Sequence, residues 1–356
     1  MEAVYACGVI CIEFIQSWFK NYAEYFENVN DLANPHHGFE LFVPIVGIFD
    51  SVFASQYLLC MAFGSWLNAV LKWCFLEERP YWWVRETTYY KGQSRPTLAQ
   101  TSQTCETGPG SPSGHAMIVA MELLLIVMWI SHVMNDRKCY VWWWKHITYP
   151  ICAVVLASTM LARLYVAAHF PHQVVLGAII GAFLAPALCI YISDPAVWGH
   201  RRRDPLIQWR HTALSLTAVV TACAVYWGLK WLHRDPMWSV QMAFRWCQVP
   251  ENIHVSTTPV YALVQSTGSL LGWALAATAA VDKYRHNTKA RSLIIATTVQ
   301  FVFVYLTRYY QEIIPREKAW LYYLLNFIVY AAKPALFLRV TPFLAMLPFK
   351  QKVKTS

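Results

Sequence analysis

A chain of 356 residues that is 57% hydrophobic and 14% charged, with 17 Trp and 20 Tyr, is too apolar for the two or three soluble domains its length would otherwise suggest. Repeated apolar runs of about 20 residues, the length that crosses a bilayer, specify an all-α, polytopic membrane helical bundle instead. The net charge of +9 does not mark a nucleic-acid binder, because Lys and Arg fall in short loops between the apolar runs.

Residues 1–37 mix aromatic and polar positions and break at Asn34-Pro35-His36-His37, which predicts a short interfacial helix before the first span. The apolar patch from Val4 to Ile15 is interrupted by Glu13 and has no basic segment before it, unlike a cleaved signal peptide. Nine spans follow, at 38–52, 53–76, 115–134, 146–168, 171–193, 212–232, 259–281, 292–311 and 319–345. They form a single integral membrane domain over 1–356, with a core at about 53–193, additional helices at about 212–345 and a tail at 346–356. Positive charge gathers in alternate loops, at Arg137, Lys138 and Lys145, at Arg201, Arg202, Arg203 and Arg210, and at Lys283, Arg285, Lys289 and Arg291. The tail adds Lys350, Lys352 and Lys354. The positive-inside rule then puts the C-terminus in the cytosol and, with an odd span count, the N-terminus on the far side of the lipid bilayer.

The stretch CETGPGSPSGH, Cys105 to His115, lies in a far-side loop. Its Gly and Pro content forbids helix interior, so it reads as a tight loop that ends where an apolar helix begins. The amides of Ser113 and Gly114 and the Ser113 hydroxyl would line the positive end of that helix, an anion site with His115 beside it; a capped helix entry with an incidental His is the alternative. Ten Cys show no CxxC pair and no zinc-like spacing, so no metal framework is expected. Cys105 and Cys247 fall in loops on the same side and could pair.

Lys72 and Arg79 are seven residues apart, two helical turns, and share one face if the second span continues that far. On their own they could equally be two snorkelling side chains. Arg163 lies within an apolar run, where a guanidinium costs several kcal/mol unless an anion or a cavity compensates, so function is its default reading. His169 follows at the far-side edge, because Pro171 ends the fourth span near Phe170 and opens the fifth. Separate segments thus deliver three permanent cations and two imidazoles to one aqueous face. Such a cluster matches a phosphate dianion, with one His to attack phosphorus and the other to protonate the leaving oxygen, and it needs no metal or cofactor.

Lys72 with Arg79-Pro80, then Pro112-Ser113-Gly114-His115, then Arg163 with His169 resemble the three-part signature of the type 2 phosphatidic acid phosphatase superfamily, whose core is haloperoxidase-like. The longer strings WLNAVLKW, RPYWWV, CETGPGSPSGHAM, AAHFPHQVV and RWCQVPENIHVSTTP look like the glucose-6-phosphatase catalytic subunits of the endoplasmic reticulum. The resemblance implies hydrolysis of glucose 6-phosphate in the lumen, in the service of glucose homeostasis, with His169 as nucleophile and His115 as proton donor. It implies phosphate binding by Lys72, Arg79, Ser113, Gly114 and Arg163. It also implies a separate glucose-6-phosphate transporter, and a dilysine retrieval signal at Lys352 and Lys354 read by coat machinery. Glu106 and Thr107 could touch sugar hydroxyls, His172 could assist, His254 could lie near the mouth, and Gln173 would orient the imidazole; capping and loop polarity are the competing explanations.

Four positions depart from the family pattern. Ala162 replaces a Ser, Asn34 stands where an acidic residue is expected unless Asp31 takes that role, and Glu77-Glu78 stand where Gly precedes the Arg-Pro pair. Two other readings stay open: a lipid or other sugar-phosphate phosphatase of the same superfamily, and, because of Ala162 and Asn34, a weakly active relative that binds or assists transport.

Overall fold

The computed structural model describes residues 1–136, 143–192, 205–253, 255–276 and 290–350. Most of the loop cations, the Lys352 and Lys354 pair and His254 lie outside the described residues. The described chain is helical, with no strand among the described residues. Its helices of seven residues or more are α1 (Glu2–Trp18), α2 (Ala23–Leu32), α3 (Val43–Phe49), α4 (Ser51–Phe75), α5 (Pro80–Glu86), α6 (Gly114–Asp136) and α7 (Trp143–Tyr165). They continue as α8 (Pro171–Leu188), α9 (Pro205–Trp231), α10 (Trp238–Trp246), α11 (Pro259–Ala276), α12 (Ala290–Ile313), α13 (Ala319–Ala335) and α14 (Thr341–Lys350).

Among the described residues, 7 helical runs are long and apolar enough to cross a membrane, and up to 8 if Glu2–Trp18 and Lys20–Phe49, bent by 78°, count as one. This is compatible with the expected nine. The remaining expected spans, 38–52 and 259–281, fall on α3 and its approach and on α11, whose described part ends at Ala276. The first two expected spans are divided at Asp50, which is extended (φ −145°, ψ 95°) and whose Oδ1 accepts the amides of Val52 and Phe53 at 3.0 and 2.9 Å, capping α4.

The chain forms two compact units. One comprises Met1–Pro35, Leu67–Ala185 and Ala222–Ala262. The N-terminal helix, expected to be short, runs 17 residues and packs into this unit. Tyr5, Val9 and Ile12 are buried with Trp82, Trp83 and Phe170, and Tyr5 stacks on Phe170 with ring centroids 4.6 Å apart. A second apolar cluster joins Ile15 and Phe26 to Ala162, Tyr165 and Val166. Helices α6 and α8 touch through small residues: a Cβ at Gly181 would stand 2.0 Å from the Met117 carbonyl oxygen, and one at Gly177 2.5 Å from that of Ser113. Without a hydrophobic drive between helices in lipid, this backbone approach supplies the packing. It brings the start of α6, with His115, against the start of α8, two residues after His169.

A disulfide joins Cys105 to Cys247, with Cα atoms 5.7 Å apart across a sequence separation of 142. Beside it Gln100 Oε1 accepts the Gln248 amide at 2.9 Å, and the Thr107 and Thr257 hydroxyls lie 3.1 Å apart.

The other unit comprises His36–Trp66, Pro186–Thr221 and Leu263–Ser356. Among its described residues a close helix contact lies at Gly272, where a Cβ would stand 2.2 Å from the Ala331 carbonyl oxygen. The buried Lys333 is paired: it meets Glu40 at 3.3 Å and donates to Gln311 at 2.9 Å, and Glu40 also meets Arg308 at 2.8 Å. Unpaired, these ions would be expensive at membrane depth.

Gly181→Ala should force α6 and α8 apart and cost about 1–3 kcal/mol of stability, read as a lowered melting temperature in detergent. Cys247→Ser should change mobility on non-reducing gels and cost about 2–4 kcal/mol; an unchanged mobility would count against the bridge.

Candidate active site

The expected site residues converge within the first unit. Helix α4 ends at Phe75 and Leu76 turns into positive φ (51°), so Lys72 and Arg79 do not share a helical face as the spacing predicts. Arg79 is instead the extended residue before α5 (φ −109°, ψ 151°), where Pro80 starts the helix. That backbone aims the guanidinium inward, fully buried. Its Nε donates to the Gly108 carbonyl at 2.6 Å, Nη1 to that of Ala168 at 2.9 Å and Nη2 to that of Pro109 at 3.2 Å. One cation therefore ties the 105–115 loop to the turn that carries His169. Lys72 flanks the same loop, its Nζ 3.6 Å from where a Cβ on Gly108 would lie.

Helix α7 ends at Tyr165, and a turn through Ala167, at positive φ (52°), presents His169 before Pro171 opens α8. His169 is fully buried, and its Nδ1 lies 2.7 Å from the Gly110 carbonyl oxygen. A carbonyl can only accept, so Nδ1 carries the proton and the lone pair of the neutral ring sits on Nε2. Burial first, then Arg79 and Arg163, push the His169 imidazole well below its usual range. Neutral at neutral pH, it gains its proton only in more acidic solution than a free imidazole requires. Arg79 Nη1 stands 3.3 Å from that Nε2.

At the centre sits Glu106. Its Oε2 pairs with Arg79 Nη2 at 2.9 Å, and its Oε1 accepts from Arg163 Nη2. His115 Nδ1 and His169 Nε2 lie 3.6 and 3.7 Å from the two carboxylate oxygens. Burial opposes the charge on Glu106, yet Arg163, Arg79 and Lys72 outweigh it and hold the carboxyl well below the usual carboxylate range.

Of the groups expected to bind phosphate, Ser113 offers its hydroxyl but not its amide. The amide donates to the Gln173 carbonyl at 3.0 Å, whereas Ser113 Oγ is buried with no hydrogen-bond partner. Gly114 and His115 open α6, where amides lack partners within the helix. A Cβ at Gly114 would stand 3.1 Å from Asn68 Oδ1, and Asn68 holds the Pro112 carbonyl at 3.1 Å.

Several expectations are corrected. Gln173 does not orient the His169 ring, a task that falls to the Gly110 carbonyl; Gln173 accepts the Phe170 amide at 3.1 Å and donates to Glu77 Oε2 and the Glu78 carbonyl at 2.9 and 2.8 Å. His172 meets Glu77 at 2.9 Å, and Thr107 meets Thr257. Glu77 is thus spent on His172 and Gln173, and Glu78 on Trp82. Ala162 is fully buried in an apolar cluster, and Arg163 is ordered by other partners. In the segment before the first span, Asn30 holds Arg163: its Oδ1 accepts from Nη1 and its Nδ2 donates to Gln103, while Asp31 is exposed.

Sequence reasoning missed Asn30, the Gly110 carbonyl and the central place of Glu106. A signal existed for the last, since three cations need a counter-charge and Glu106 is the acidic residue of the CETGPGSPSGH loop. The donor set is guanidinium, ammonium, hydroxyl and helix-start amides, and among the described residues no three His, Cys, Asp or Glu group as metal ligands. This arrangement can hold a tetrahedral dianion against an unprotonated ring nitrogen.

The profile of the PAP2 superfamily matches residues 53–195. Glucose-6-phosphatase 2 of Homo sapiens is 29% identical over 369 residues, spanning 100% of this chain and 100% of that one. Glucose-6-phosphatase catalytic subunit 1 of Bos taurus is 29% identical over 356 residues, spanning 96% and 95%, and that of Haplochromis nubilus is 31% identical over 283, spanning 77% and 76%. No solved structure matches the chain.

Arg79→Lys keeps the charge but offers no fork to three carbonyls and a carboxylate. Affinity for orthovanadate, measured calorimetrically on the purified protein, should fall about tenfold or more.

Proposed function

The chain is a multi-pass membrane phosphatase of the glucose-6-phosphatase family, and we propose that it hydrolyses glucose 6-phosphate in the endoplasmic reticulum lumen through a phosphohistidine on His169. The observation that carries this reading is a single anionic group flanked by Arg79, Arg163 and both imidazoles. With the phosphoryl group in that position, Arg79, Arg163, Lys72 and the Ser113 hydroxyl neutralise its oxygens, and Gly114 contributes the helix-start amide. His115 takes up a proton as the phosphate dianion enters; His169 Nε2 then attacks phosphorus while the bond to the sugar oxygen breaks, and His115 gives that oxygen its proton, releasing glucose. His115, now neutral, takes a proton from water; the resulting hydroxide attacks the phosphohistidine, and phosphate leaves with His169 restored.

The luminal assignment is supported by the disulfide that anchors the site loop, because such bridges persist in oxidising compartments. The N-terminus is then luminal and the C-terminus cytosolic. A transporter supplying the sugar phosphate, and coat machinery reading Lys352 and Lys354, belong to the same proposal. So does the placing of the catalytic core at about 53–193 within one membrane domain, to which Asn30 adds a side chain from the N-terminal segment. Ala162, Glu77 and Glu78 leave the cationic cluster intact, which supports an active enzyme over a binding or transport relative.

Brief incubation with phosphate-labelled glucose 6-phosphate should leave acid-labile label on the wild type and none on His169→Ala. Intact microsomes should release phosphate from glucose 6-phosphate more slowly than permeabilised ones, and phosphatidic acid should be the poorer substrate. Faster release from phosphatidic acid would favour the lipid phosphatase.

A further inference from the structure

The carboxylate of Glu106 stands where the phosphoryl group has to go. Both its oxygens are engaged by guanidinium groups, Oε2 by Arg79 and Oε1 by Arg163, and the same two oxygens face His115 and His169. A phosphorus atom in bonding reach of His169 Nε2 would occupy the space of Oε2, which is 3.7 Å from that nitrogen. Two anions cannot share it: their repulsion adds to the clash.

The loop itself is fixed. The Tyr81 hydroxyl donates to the Glu106 carbonyl at 2.9 Å, the Glu106 amide donates to the Thr104 carbonyl at 2.9 Å, and the neighbouring Cys105 is bridged to Cys247. Movement is therefore left to the side chain, which turns about its own torsions. A way out exists, because the Glu106 side chain is 15% exposed while both arginines are at 0%. The arginines are held in place without it: Arg79 has three carbonyl partners and Arg163 has Asn30.

We infer that Glu106 is a tethered occupant of the phosphate site, which neutralises the buried arginines in the empty enzyme and has to swing out before a phosphate ester can bind. The inference rests on the reading of this cluster as the phosphate site. It makes Glu106 a determinant of affinity, since the apparent affinity of an incoming phosphate falls by the fraction of time the carboxylate is away. A side chain on a fixed loop competes at the high effective concentration of any short tether.

The test is calorimetric titration of the full-length protein in detergent with inorganic phosphate, which lacks sugar hydroxyls that a displaced carboxylate could meet. Glu106→Gln should bind phosphate about tenfold more tightly than wild type, and phosphate should raise its melting temperature more. Glu106→Asp keeps the charge on a shorter tether and guards against poor folding of the amide variant; it should also bind more tightly, by a smaller factor. Equal or weaker binding by both variants would overturn the inference, making Glu106 a partner the arginines still need when phosphate is bound. Absence of phosphate binding in wild type and both variants would overturn the phosphate site itself.

Discussion

Two guanidinium groups are fully buried next to the membrane helices, and the site is arranged around the need to compensate them. An isolated buried ion costs several kcal/mol even after the protein relaxes. Arg79 offsets that cost with three main-chain carbonyls and one carboxylate oxygen, and Arg163 with an amide oxygen and the other carboxylate oxygen. Because those partners belong to the 105–115 loop, the 166–170 turn and the N-terminal helices, compensating the cations also assembles the site.

The same requirement explains the polarity of the histidine. A buried ring whose Nδ1 donates to a carbonyl and whose surroundings are cationic stays neutral, with its lone pair on the Nε2 that lies 3.7 Å from the Glu106 carboxylate. In the proposed mechanism fixed cations serve twice, attracting a dianion and helping burial to keep the attacking nitrogen unprotonated. A carboxylate orienter would have opposed the second effect by favouring the charged ring, and the glutamine at position 173 is employed elsewhere, pinning the Phe170 amide.

The convergence of Lys72, Arg79, Ser113, His115, Arg163 and His169 was legible from residue types at span ends, because membrane length and Pro positions fix the depth of each. What escaped depends on the path of the chain between spans. Asn30 sits in a polar helix beside Glu27 and Asp31 and has no periodic feature to distinguish it. The Gly110 carbonyl is a main-chain group that any residue carries; the glycine itself reflects contact, since a Cβ there would stand 2.2 Å from the Glu78 carbonyl oxygen. The length and docking of α1 escaped because its buried face meets Trp82, Trp83 and Phe170, which lie far away in sequence.

Arg79 is gripped mainly by oxygen atoms of the peptide backbone, at Gly108, Pro109 and Ala168. The instructions for holding this cation are therefore written in the trajectory of two loops and not in an alphabet of partner side chains. Anyone grafting the centre onto another scaffold would have to reproduce that trajectory, since copying the named residues alone would transplant the charge without its cradle.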